Sequence, residues 1–173
     1  MKNKIKDTSL ISLFAALIAI SSYLVIPLPF SPVPITAQTI IIMLAGTFLK
    51  PFKALTSVGI FIFLGIAGLP VFSKGQSGLG VIAGPTGGYL FGFLLAVYII
   101  SILVHKKHNF KNLLITFSLG TVIIYFFGVS WLSISLNISL KKAIITGFIP
   151  FIPGDIVKII FTALLSKKLR KHI

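Results

Sequence analysis

Pro153-Gly-Asp-Ile-Val-Lys158 opens the last apolar stretch of the chain, and the fold turns on how it is read. Proline is favoured in the first turn of a helix, where its missing N–H costs nothing, so Pro153 marks a helix start. Asp155 and Lys158 then stand three residues apart on one face. At about 1.5 Å per residue, Asp155 lies roughly 17 Å and Lys158 roughly 12 Å before Ser166, where the basic C-terminal tail begins. The residues between are Ile159-Ile-Phe-Thr-Ala-Leu-Leu165, almost wholly apolar. Charges at that depth are costly, and in a bilayer they mark a cavity or a pathway. Two readings are open at this point: an ion pair that neutralises itself inside a bundle, or a polar anchor in a ligand cavity.

Composition decides which solvent surrounds that helix. Hydrophobic residues make up 56% of the 173 and charged residues 10%, against about 25% charged in a soluble domain. Too little polar surface exists to cover a globule in water, so the solvent is mostly lipid. A secreted disulfide scaffold, a cytosolic enzyme and a disordered tail are excluded together. The net charge of +14 is spread in small clusters between apolar runs, as loop charges of a membrane protein are. It forms no stripe or motif that would bind nucleic acid.

Working outward from the final helix, six apolar segments of spanning character follow. They are Ser9–Ile26, Ile35–Leu49, Ala54–Leu69, Gly88–Val104, Leu113–Trp131 and the interrupted stretch Ala143–Leu165, with a short helix over Leu140–Ile149 leading into the last. No small-residue cleavage site follows the first segment before Pro27, so it is read as a retained helix. The expected fold is all-α, a polytopic six-helix bundle forming one integral membrane domain over residues 1–173. Twelve basic residues fall on one side of this arrangement: Lys2, Lys4, Lys6, Lys50, Lys53, Lys106, Lys107, Lys111, Lys167, Lys168, Arg170 and Lys171. Only Lys74, Lys141 and Lys142 fall on the other. That asymmetry puts both termini in the cytoplasm. The proline-rich loop Pro27–Pro34 and the glycine-rich loop Pro70–Gly87 then share the outer face, with the ligand cavity opening outward.

The acids are Asp7 and Asp155. Asp7, among the N-terminal lysines, reads as a solvated or helix-start charge. A catalytic carboxylate pair would have to come from opposite membrane faces. His105, His108 and His172 fall at cytoplasmic ends, away from Asp155, which leaves no geometry for a Ser-His-Asp triad or a metal site. Cysteine is lacking, and no Gly-x-x-x-x-Gly-Lys-Ser/Thr phosphate loop is present. The chain is therefore not expected to be an enzyme, to hold a metal or to carry a cofactor. Gly84, Gly88 and Gly92 recur every four residues, which allows close helix approach in lipid, and Gly84 to Gly88 can bring backbone N–H groups to a ligand. Ala15 and Ala19 form a second small-xxx-small pair, suited to internal packing or to docking another membrane subunit.

Four stretches in this order carry a resemblance: Pro32-Val-Pro-Ile-Thr-Ala-Gln38, Gly68-Leu-Pro-Val-Phe72, Gly84-Pro-Thr-Gly-Gly-Tyr-Leu-Phe-Gly-Phe93 and Pro153-Gly-Asp-Ile-Val-Lys158. The chain resembles, over nearly its whole length, the BioY family, the biotin-specific substrate-binding subunits of energy-coupling factor transporters. The resemblance implies a non-catalytic capture subunit in the plasma membrane, working with a transmembrane coupling subunit and two cytoplasmic ATPases. It implies Asp155 and Lys158 as substrate-binding residues, Ala15 and Ala19 as the docking surface, and Pro27 to Pro34 as a lid. Gln38, Gly87, Gly88 and Tyr89 join the expected biotin site, with Gln76 and Ser77 from the variable loop tip. Biotin's fused rings and valerate chain suit an apolar pocket. Asp155 is able to accept from a ureido N–H, and Lys158 to donate to the ureido carbonyl or to the carboxylate. The alternatives are a subunit of the same architecture for another vitamin, or a small membrane enzyme or channel.

Overall fold

The structure, a computed structural model, describes residues 2–107 and 109–169, with side chains from Lys4 onward. His108, Arg170, Lys171 and His172 of the basic ends lie outside the described residues. The chain runs α1 (Lys2–Ser21), β1 (Val25–Ile26), β2 (Ile35–Thr36), α2 (Gln38–Phe48), α3 (Pro51–Ile66), α4 (Leu79–Ala83), α5 (Gly87–Lys106), α6 (Phe110–Ser135), α7 (Leu140–Gly147) and α8 (Ile152–Leu169). The fold class is all-α, and α1, α2, α3, α5, α6 and α8 stand where the six apolar segments were read. By length and apolarity, α5, α6 and the stretch from α7 through α8 are each able to cross a membrane, while α2 and α3 are apolar but shorter. The chain is a membrane protein.

Local chemistry sets the boundaries. Pro51 sits in the first turn of α3 and separates it from α2. The Asn109 side chain accepts from the Asn112 N–H at 2.7 Å and caps α6, and Ser139 caps α7 through the Lys142 N–H at 3.3 Å. Pro153 falls in the first turn of α8, as expected, after a 3₁₀ turn over Ile149–Phe151.

The antiparallel pair α5 and α6 forms the centre of the bundle, with α2 and α3 packed on α5 and α8 on α6. Small residues permit this closeness. A methyl group added at Gly92 would stand 2.8 Å from the Ile124 Cα, and one at Gly128 2.4 Å from the Tyr89 ring. In lipid, where apolar surface gains nothing by leaving the solvent, such close van der Waals packing drives helix association. Phe61, Phe72 and Phe117 are the bulkiest fully buried side chains of the core.

Three features depart from the sequence expectation. The proline-rich loop is flanked by a small hairpin, Val25 opposite Thr36 and Ile26 opposite Ile35, so the first apolar segment ends as helix at Ser21 and the second begins at Gln38. The glycine-rich loop contains a 3₁₀ turn over Ser73–Gly75, with Lys74 at a positive φ of 63°, and the short helix α4. Asp7 is neither a free surface charge nor a helix start: it lies within α1 and pairs with Lys53 of α3 at 2.6 Å.

Candidate functional site

The site forms at the bundle end that carries the hairpin and the glycine-rich loop, opposite the end that holds Lys50, Lys106, Lys107 and Lys111. Its floor is built by α8. Asp155 lies in the first turn of that helix, where the macrodipole favours a negative charge, and it is only 5% exposed. Lys158 Nζ donates to Asp155 Oδ1 at 3.0 Å. The other carboxylate oxygen, Oδ2, accepts from the Tyr125 hydroxyl of α6. Both oxygens of a buried charge are thereby satisfied, which removes most of the penalty of holding it in lipid.

Tyr125 is itself held by rings. It packs edge-on to Phe148 with centroids 4.8 Å apart and perpendicular to Tyr89 at 6.1 Å. The Tyr89 hydroxyl is spent elsewhere, donating to the Gly147 carbonyl at 2.8 Å. Tyr89 therefore offers the cavity its ring rather than its hydroxyl.

Above this floor lies a cavity with about 620 Å³ of space between atoms, open solvent at its mouth included. Leu90, Phe93, Ile124 and Phe151 give it apolar walls, and Val33, Pro34, Phe72 and Ser73 reach over it from the two loops. Gln38 and Thr39 enter from the start of α2. Gln38 is 3% exposed; its Oε1 accepts from Ser73 Oγ at 3.4 Å. Its Nε2 and the Thr39 hydroxyl have no partner among the described residues. Buried polar atoms are normally satisfied, so these two are donors left for something that occupies the cavity. The result is an apolar slot with an acceptor and a cation at one place and neutral donors at another. It suits a small, largely apolar molecule with polar groups at fixed separation.

The residues expected to form the site separate into those that meet and those that do not. Asp155, Lys158, Gln38 and Tyr89 line one cavity. Gln76 and Ser77 are not among the residues that line it; they border an adjoining, more open depression with Pro32, Gly80 and Pro85, which shares Val81 and Thr86 with the cavity. Gly87 and Gly88 are not among the residues that line the cavity. A methyl group on Gly87 would stand 1.8 Å from the Ile82 carbonyl oxygen, and one on Gly88 2.2 Å from the Trp131 Cβ. Their smallness serves contact between α5 and its neighbours. Ala15 is 2% exposed and lies inside the bundle, so its side chain meets no outside helix. Ala19 is half-buried, and the small residues that α1 presents outward are Ser9, Ser12 and Ala16.

Tyr125 and Thr39 escaped the sequence reading. Tyr125 is one aromatic among several in α6, and only the tertiary fold shows that it faces Asp155. Thr39 had a usable signal in its position beside Gln38 at the start of the second apolar segment.

Against known proteins, a sequence profile described as the BioY family matches residues 1–173. The chain is 38% identical over 159 residues to the biotin transporter BioY of Thermotoga maritima, covering 92% of this chain and 92% of that protein. It is 36% identical over 176 residues to the biotin transporter BioY of Lactococcus lactis, covering 98% and 93%. It superposes with a TM-score of 0.90 and 36% identity on a crystal structure of the S-component for biotin from an ECF-type ABC transporter, covering 98% of this chain and 93% of that one.

Proposed function

The chain belongs to the BioY family, and from that premise we propose that it captures biotin in the cavity above Asp155 and Lys158 as the substrate-binding subunit of an ATP-driven importer. The family is a transporter component and not an enzyme. The observation that carries the site assignment is the buried Asp155–Lys158–Tyr125 cluster opening into an otherwise apolar cavity.

The chemistry of the ligand matches the lining. The fused rings and valerate chain of biotin take the walls of Leu90, Phe93, Ile124 and Phe151. Asp155 accepts a ureido N–H, Lys158 donates to the ureido carbonyl or to the carboxylate, and the Gln38 amide donates to whichever oxygen lies at its end. Charge-assisted bonds in a water-poor cavity are stronger than neutral ones, which supports tight capture. The subunit has no catalytic step and no cofactor of its own.

Residues 1–173 act as a single membrane unit in the plasma membrane with both termini cytoplasmic, which turns the cavity outward. Energy comes from a transmembrane coupling subunit with two cytoplasmic ATPases. For the docking face on α1, the burial of Ala15 moves the emphasis to Ser12 and Ala16, with Ala19 at the edge. Binding of radiolabelled biotin to the purified chain tests the function: saturable binding displaced by unlabelled biotin, but not by thiamine or riboflavin, is expected. Displacement by another vitamin and not by biotin would reassign the substrate.

A further inference from the structure

A second apolar groove runs along the outer side of the bundle between α6 and α7. Its α6 wall is Val122, Phe126, Val129 and Ser130, and its α7 wall is Leu140, Ile144 and Phe148, with Tyr125 between them. Residues 122 to 130 span about 12 Å of helix, so the groove is a channel lengthwise along the bundle rather than a dimple. Several of its walls are large apolar side chains left exposed, Val122 at 59% and Phe126 at 67% among them. In this membrane protein such a groove faces hydrocarbon.

Leu140, at one end of this lining, is followed directly in sequence by two cations. These, Lys141 and Lys142, stand in the first turn of α7 and are both exposed. Two of the three basic residues that run against the lysine and arginine asymmetry of the chain are therefore at this one place. They also stand at a helix N-terminus, where the macrodipole disfavours cations. No acidic side chain answers them, because Asp7 is held by Lys53 and Asp155 by Lys158. An anion from outside the chain would relieve both conflicts.

We propose that the α6–α7 groove holds one anionic phospholipid, an acyl chain lying between Val122 and Leu140 and the headgroup phosphate on Lys141 and Lys142. Charge complementarity at the Leu140 end and an apolar channel leading from it select this occupant over a neutral lipid. The chain end reaches the ring of Tyr125, whose other side bounds the cavity above Asp155.

Native mass spectrometry of the purified chain with phosphatidylglycerol or phosphatidylcholine added in equal amounts tests the proposal. The parent should retain one phosphatidylglycerol in preference to phosphatidylcholine by roughly thirtyfold, about fivefold for each lysine near the headgroup. Lys141→Gln with Lys142→Gln, both exposed and outside the bundle, should abolish the preference. Ser130→Phe fills the channel and should reduce retention of both lipids, with Ile144→Trp from the facing wall as a second filling variant; biotin binding reports that each remains folded. Equal retention of the two lipids by the parent overturns the proposal, as does a preference that survives loss of both lysines. Undiminished retention by two folded filling variants removes the acyl chain from the groove, and a second protein copy retained in place of lipid assigns the groove to self-association.

Discussion

Asp155→Asn isolates the charge on which the site depends. The substitution keeps shape and leaves an oxygen for the Tyr125 hydroxyl, but Lys158 loses its partner. At 3.0 Å and an effective dielectric near 20, Coulomb's law gives about 5.5 kcal/mol for the pair, a little above the ~3–5 kcal/mol typical when one side of a buried pair is removed. The loss must emerge as lower stability, lower affinity or a neutralised lysine. If Asp155 also accepts from the ligand, biotin affinity falls roughly 10²- to 10³-fold, since each 1.4 kcal/mol is about tenfold. Calorimetric titration with biotin and thermal melting without it separate the two losses. The double change Asp155→Asn with Lys158→Met removes both charges and should recover most of the melting temperature while binding stays lost. A folded double variant that binds biotin like the parent would refute the assignment of this pair to the site.

Three further outcomes are expected. Cysteines introduced at Ser77 and Lys168 should label from outside and from inside the cell respectively; labelling of Ser77→Cys only after the membrane is opened would invert the orientation. Ala16→Trp, at an exposed position, should spare biotin binding by the isolated chain and reduce uptake in cells, whereas Ala15→Trp overfills the bundle and should lower both; equal loss of binding in Ala16→Trp would count against docking through that face. Gly88→Ala pushes a methyl group into Trp131 and should lower stability by about 1–3 kcal/mol, with the surviving folded fraction binding biotin normally; a specific affinity loss without a melting shift would return Gly88 to the ligand.

Asp155 and Lys158 were legible because charge is so rare in this chain that each occurrence in an apolar stretch carries information. Their spacing fixed a shared face, and Pro153 fixed where the helix begins. Gln38 was legible for a related reason, as a polar group at the head of an apolar segment. Tyr125 was not, since a tyrosine in an apolar helix looks the same whether it holds a carboxylate, as Tyr125 does, or merely fills space. Gly87 and Gly88 illustrate the converse: smallness signals close approach, but only the fold shows that a neighbouring helix rather than a ligand does the approaching. For Ala15 the register of α1 decides, because a shift of one residue, to Ala16, moves a side chain from the interior to the outside.

The hairpin over the cavity has only two residue pairs, Val25 with Thr36 and Ile26 with Ile35. A ribbon this small has little free energy of its own. The threads that fasten it are the Tyr23 hydroxyl on the Pro70 carbonyl and the packing of Val33 and Ile35 against the core. Such a segment opens far more often than the whole molecule unfolds. Val33, Pro34 and Thr36 line the cavity from this segment, so its opening is expected to set how fast a molecule arrives and how long it dwells, and Asp155 the equilibrium between them. Loosening the threads would speed arrival and departure together and leave their ratio nearly unchanged.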